Sequence, residues 1–141
     1  MRLTEQSRYA LRVLAYCAER HPKLAKVAAI AEATHITEQN IFKLIKGLTK
    51  AGFVETIRGP HGGVRLAMNP SAIRVGQVIR AIEPRFKECG PLELIMSGGP
   101  ISPVERELDR AIGRGIAAFM EALDRTSIAA LIRPGSAADA A

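Results

Sequence analysis

Residues 37–66, TEQNIFKLIKGLTKAGFVETIRGPHGGVRL, set a segment of helical period directly before one of strand period, and that junction leaves the chain few ways to fold. Ile41, Leu44, Ile45 and Leu48 recur at i, i+3, i+4 and i+7, so one side of a helix is apolar and seeks a core. Gln39, Asn40, Lys43, Lys46 and Lys50 are left on its other side. Thr37 suits the N-cap, where its hydroxyl accepts from an amide of the first turn that has no helical partner. Ala51 and Gly52 stop the helix, and residues 53–58 (FVETIR) then alternate as a strand does. Gly59, Pro60, His61, Gly62 and Gly63 supply a turn, from which residues 64–68 (VRLAM) return as the partner strand.

Upstream, residues 4–19 place Ala10, Leu11, Leu14, Cys17 and Ala18 on one helical stripe, and His21, Pro22 and Lys23 end it because proline cannot donate to the helical ladder. Cys17 on that stripe reads as a small buried hydrophobe. Residues 27–33 (VAAIAEA) form a second, short helix broken by Thr34 and His35. The order is therefore helix, helix, tight turn, helix, hairpin. Downstream, Ser71 is expected to cap a helix whose apolar set is Ile73, Val75, Val78, Ile79 and Ile82, ending at Pro84. Residues 85–102 carry two prolines and three glycines and read as a long irregular loop, a place where a sensor could live.

Pro103 suits the first turn of a final long helix. Val104, Leu108, Ala111, Ile112, Gly115, Phe119, Ala122 and Leu123 repeat along it for about six turns. A stripe of that length on a small chain needs a partner. It could pack along the chain's own first helix or cross a symmetry mate, and the second is favoured because readers of this architecture address two half-sites. Residues 126–132 (TSIAALI) add a short apolar element. The predicted fold is mainly α with a small β-hairpin. A winged helix-turn-helix domain spans 1–83, a sensor-type loop 84–102, a dimerisation helix with a short terminal helix 103–133, and a disordered tail 134–141.

Charge separates the two parts. Residues 1–87 hold fifteen of the twenty Lys and Arg but six of the fourteen Asp and Glu, whereas residues 88–141 carry a net excess of acid. The first part faces a polyanion, the alternative being a solubilising surface. Aromatic residues make up 4% of the chain and Trp is absent, which argues against a platform of stacked rings for single strands. Duplex DNA fits better. Gln39 and Asn40 can pair with adenine edges, Lys43 can reach guanine acceptors, and Lys46 and Lys50 can neutralise phosphates. Arg58, His61 and Arg65 place positive or titratable groups on a hairpin narrow enough to lie over a minor groove. Glycines would equally serve any tight hairpin. GPHGG lacks the lysine ending of a nucleotide-binding loop and lies between strands, so ATP binding is not supported. No nucleophile and base, paired carboxylates or metal-spaced cluster stands at interpretable spacing, so an enzyme is not expected. Charges interrupt what would be a signal core at the N-terminus, and there is no uncharged apolar run of about 18 residues. Two cysteines give no disulfide framework, and a cytoplasmic protein without a membrane span is expected.

Three stretches together, MRLTEQSRYALRVLAYCA, ITEQNIFKLIKGLTKAGFVETIRGPHGGVRLA and a final helix leading to RTSIAALI, resemble the winged-helix transcription regulators of the Rrf family, the group of IscR, NsrR and RirA. The likeness covers residues 1–133, and RGPHGGVRLA after LTKAGFVETI is its most specific part. It implies a homodimeric regulator, usually a repressor, on a pseudo-palindromic operator. The helix bearing Gln39, Asn40 and Lys43 would enter the major groove, and Arg58 of the wing the minor groove. Thr37, Lys46, Lys50, Gly59, His61, Gly62, Gly63 and Arg65 complete the expected DNA-binding set. Many members bind an iron–sulfur cluster through three loop cysteines. Here Cys89 stands near the first of these positions, while Gly99 and Glu105 occupy the other two, and Arg8 stands where some members carry a cluster ligand from the partner subunit. One loop thiol per subunit is too few for a standard cluster, so no cofactor is expected. Cys89 reads as a leftover structural thiol, a lone redox or ligand-sensing thiol, or part of an atypical cluster with carboxylate help. A protein-interaction adaptor that kept the fold and lost operator binding is the alternative function.

Overall fold

The computed structural model describes residues 3–84 and 102–133. The elements run α1 (Glu5–Arg20), α2 (Val27–Thr34), α3 (Glu38–Lys50), β1 (Val54–Ile57), β2 (Gly63–Leu66), a 3-10 turn (Pro70–Ala72), α4 (Val75–Ile82), α5 (Pro103–Asp124) and α6 (Ile128–Ile132). The sequence-predicted architecture of helices with one hairpin is the observed one. The predicted sensor-type loop and tail lie outside the described residues, apart from Pro84 and Ser102 at the loop's ends.

One core serves the whole described chain. Ala10, Val13, Leu14, Cys17 and Ala18 of α1 meet Ile30 of α2, Ile41, Leu44, Ile45 and Leu48 of α3, and Val78, Ile79 and Ile82 of α4. The inner positions of α1 include Val13 and Ser7, and Leu11 is only half-buried, so the stripe is rotated slightly from the one expected. Cys17 is buried among these side chains, and desolvation pushes its thiol up to about 11.

Helix ends are closed by side chains, as their unpaired amides and carbonyls require. Thr4 caps α1 by accepting from the Ser7 amide at 3.3 Å, and Thr37 does the same for α3, accepting from the Asn40 amide at 3.3 Å. The buried carboxylate of Glu83, at the end of α4, accepts from the Thr4 amide at 2.7 Å and from the Thr4 hydroxyl at 3.0 Å. This ties the start of α1 to the point where residues 84–102 begin. At the other end of the second helix, the Arg12 guanidinium donates to the Thr34 carbonyl, and His35 takes the left-handed conformation (φ 53°) that turns the chain into α3.

One expectation is corrected. Ser71 does not cap α4: its amide and hydroxyl donate to Asn69 Oδ1 at 2.9 and 2.6 Å, because Asn69 opens the intervening 3-10 turn. Ile73 is buried ahead of the helix, its carbonyl accepting from the Ile128 amide at 2.9 Å, and α4 begins at Val75. Of the two partners considered for the long helix α5, α1 is not the one it lies along within the chain: its C-terminal part packs on α4, and α6 takes the place against α1.

The α4–α5 junction is tight. Arg80 grips Asp124 in two-pronged fashion at 2.9 and 2.5 Å, which holds the Asp124 carboxyl below the usual range. A Cβ on Gly76 would lie 2.0 Å from Asp124 Oδ1 and 3.2 Å from the Asp124 amide nitrogen. Gly76→Ala is therefore expected to lower stability by about 1–3 kcal/mol, the usual cost of overpacking. Adding Asp124→Ala to that variant should recover part of the loss, as read from urea-unfolding midpoints of the two variants.

Candidate nucleic-acid interface

The exposed side of α3 is chemically distinct from its buried side. Gln39, Lys43, Lys46 and Lys50 all face solvent, opposite Ile41, Leu44 and Leu48. Asn40 is half-buried, and its backbone amide donates to the Thr37 hydroxyl. Among the described residues, no carboxylate pairs with Lys43, Lys46 or Lys50. Their charges are left for a partner. Glu38 in the first turn and Lys50 in the last suit the helix dipole.

The hairpin follows immediately. Gly52 (φ 82°) turns the chain out of α3, the Phe53 amide donates to the Leu48 carbonyl at 3.0 Å, and β1 begins one residue later. β1 and β2 pair antiparallel in the register Val54↔Leu66, Glu55↔Arg65, Thr56↔Val64 and Ile57↔Gly63. Val54, Val64 and Leu66 turn inward to the core, leaving the remainder of β1 exposed. Arg58 and His61 are exposed at the tip.

Three tip glycines have separate structural causes. Gly59 adopts φ 106°, where a side chain is strained. A Cβ on Gly62 would stand 1.9 Å from the Ile57 carbonyl oxygen, and one on Gly63 would stand 2.6 Å from the Ala25 carbonyl oxygen. The Gly63 constraint reflects a backbone bridge in which Ala25 and Val64 exchange two hydrogen bonds of 2.8 Å, docking the hairpin on the α1–α2 connection. Lys26 adds a further tie, its Nζ donating to the Pro60 carbonyl at 2.7 Å.

The predicted residues thus fall into groups. Gln39, Lys43, Lys46 and Lys50 share the open face of α3, with Thr37 at its start. Arg58 and His61 share the hairpin tip, while Gly59, Gly62 and Gly63 shape it. Arg65 stands across the strands from Glu55 and forms an ion pair with it. Cys89 lies outside the described residues. Sequence reasoning missed Lys26, for which the sequence holds no signal. It also passed over Phe42, an apolar residue that sits off the buried stripe of α3 and could have been marked for that reason.

The described residues bring no three His, Cys, Asp or Glu side chains together in a metal-binding group. Glu105, at one expected cluster position, instead closes the start of α5: it accepts from the Ser102 amide at 2.8 Å while Ser102 Oγ accepts from the Glu105 amide at 3.2 Å. With Cys17 buried in the core and Cys89 the one other cysteine of the chain, the sulfur donors do not fit a three-cysteine cluster site. No helix among the described residues is long and apolar enough to cross a membrane.

A helix-turn-helix whose last helix shows unpaired cations, joined to a hairpin docked on the same body, defines a winged-helix DNA-binding protein. The family model described as Rrf2: Iron-dependent Transcriptional regulator matches residues 3–134, and the chain belongs to this family. It is 35% identical over 134 residues to the HTH-type transcriptional regulator NsrR of Bacillus subtilis, covering 94% of this chain and 91% of that protein. It is 37% identical over 140 residues to Protein aau3 of Rhizobium meliloti, covering 94% and 86%. Among solved structures, CymR, the global cysteine regulator of B. subtilis, superposes with a TM-score of 0.73 at 28% identity, covering 94% of this chain and 97% of that one. IscR of T. potens superposes with a TM-score of 0.72 at 25% identity, covering 94% and 87%. The chain is a DNA-binding transcriptional regulator and not an enzyme.

Because the Gly62 Cβ would collide with backbone rather than with a movable side chain, Gly62→Ala is expected to open the hairpin. Hydrogen exchange should show lost protection at the Val64 and Ala67 amides, which donate to the Ala25 and Phe53 carbonyls, with the helical amides retained. DNA affinity should fall about tenfold or more, about 1.4 kcal/mol.

Proposed function

We propose that this chain acts in the cytoplasm as a homodimer that represses transcription by occupying a pseudo-palindromic operator. The observation that carries the dimer is the N-terminal half of α5: Val104, Leu108 and Ile112 are 78%, 57% and 45% exposed on one side of a single helix. Apolar side chains in that number at helical spacing are costly to leave in water, and a twofold mate presenting the same stripe buries them. Two copies then offer two α3 helices to two half-sites.

Within each half-site, Gln39, Asn40 and Lys43 read base edges in the major groove, and Lys46 and Lys50 neutralise backbone phosphates. Thr37 fixes the start of the reading helix. Arg58 enters the adjacent minor groove, with Gly59, His61, Gly62, Gly63 and Arg65 forming the wing that presents it. Residues 1–83 are the reader and 103–133 the dimer helix with its terminal helix. Residues 84–102, which join them and include Cys89, are where a signal would enter. The donor set supports a regulator without the three-cysteine cluster. Repression by occlusion needs no further surface than these two.

Replacing Leu108 and Ile112 together by Glu should give a monomer by sedimentation velocity and cost about a hundredfold or more in operator affinity, since two linked half-sites become one. A variant that still sediments as a dimer would overturn the assignment of α5. Lys46→Ala should weaken all sequences alike and reduce the slope of log affinity against log salt by about one per half-site, whereas Lys43→Ala should change base preference. Fluorescence anisotropy across salt concentrations separates the two. The absorbance spectrum of anaerobically purified protein should lack an iron–sulfur band; a broad visible band would overturn the cofactor-free reading.

A further inference from the structure

We infer that Phe42 is a specificity-determining residue that reads the C5-methyl group of a thymine in each half-site. The inference rests on the duplex reading proposed above and names one base contact within it. Phe42 is 59% exposed, although it belongs to a helix whose buried set, Ile41, Leu44, Ile45 and Leu48, is complete without it. A ring left in water gives up a large hydrophobic gain, so the position is unfavourable in the free protein and calls for an apolar partner.

The position of Phe42 on α3 says what that partner is. At about 100° per residue, its direction lies about 40° from Lys46 and about 60° from Gln39, on the margin of the outward face. It sits in the first half of the helix, the part that reaches base edges when a recognition helix enters the major groove. Lys43 follows it in sequence and Lys46 lies one turn on, both exposed and both without an acidic partner among the described residues. An apolar protein surface would be a poor match for a ring flanked by unpaired cations. A DNA groove offers phosphates for the cations and one apolar group on its base edges, the thymine methyl.

The test begins with selection of preferred duplexes from a random pool by the full chain, followed by replacement of each thymine in the selected operator with deoxyuridine, which removes only the methyl. At one thymine per half-site, the unmodified protein should lose about fourfold in affinity, the value of one buried methyl-sized group. Phe42→Ala should lose a similar factor on the thymine operator and become indifferent to deoxyuridine at that position, while Phe42→Leu should retain part of the discrimination. Equal affinity of Phe42→Ala and the unmodified protein for the thymine operator overturns the inference. So does unchanged discrimination in Phe42→Ala. Should Phe42→Ala fold poorly by circular dichroism, the deoxyuridine series on the unmodified protein decides alone, and a flat series overturns the inference. Failure of the chain to select any duplex overturns the operator reading as well, whereas a selected operator with a flat deoxyuridine series overturns only the role of Phe42.

Discussion

The backbone exchange between Ala25 and Val64 holds the hairpin and the helical body that carries α3 in one frame. Without it, the hairpin would be joined to the body through the end of α3 and its inward-facing Val54, Val64 and Leu66, and a short two-stranded hairpin is marginal by itself. Two bonds of 2.8 Å add a third edge to the ladder, each contributing about 1 kcal/mol net. The approach is possible only because Gly63 has no Cβ to meet the Ala25 carbonyl. Lys26, the next residue along the connection, then fastens the tip through the Pro60 carbonyl. The turn between α1 and α2, far from α3 in sequence, thereby sets where Arg58 stands relative to Lys43 and Lys46.

That arrangement also sorts the cations by what they do. Lys26 is engaged by a backbone oxygen, Arg12 by the end of α2, Arg65 by Glu55 and Arg80 by Asp124. Of these, Arg65 and Arg80 are neutralised by carboxylates, while Lys26 and Arg12 serve as donors within the fold. The lysines on the open side of α3 have no such partners among the described residues, and an exposed cation is well solvated, so leaving them unpaired costs little in the free state. The net positive charge of the first part of the chain is therefore not a uniform coat. The open side of α3 is one place where it accumulates, and its attraction for a polyanion there is strongly screened by salt.

Much of this was legible in the sequence, for physical reasons that differ by element. α3 was clear because its apolar residues obey one helical period and its cap and stop flank that period directly. The hairpin was clear because glycine clusters between alternating residues have few other uses. The start of α4 was misread because Ser71 and Asn69 are both good caps, and only the packing of Ile73 against α6 decides that the helix must wait until Val75. A symmetry mate is favoured over α1 as the partner of α5 only through the argument from two half-sites, since a periodic stripe records that a face is apolar but not what covers it. Glu83 carries no signal in the sequence because a lone acidic residue at a helix end is usually solvated, and the Thr4 groups that bond it lie 79 residues away. Contacts across such separations leave no pattern in a single sequence.

The uneven burial of α5 has a mechanical consequence. Its C-terminal end is clamped by Arg80 on Asp124, by the close approach at Gly76 and by buried Met120, while its N-terminal half presents Val104, Leu108 and Ile112 to solvent. A helix of 22 residues is about 33 Å long, so it acts as a rigid arm fixed to the reader at one end. In the proposed dimer the free half is the part held by the partner, and small tilts at the clamp become larger displacements there. In sequence, residues 84–102 lead from the buried Glu83 to Ser102, which caps the start of α5. With Glu83 bonded to Thr4 before that segment and Ser102 bonded to Glu105 after it, both of its flanks are fastened to helices of the same body.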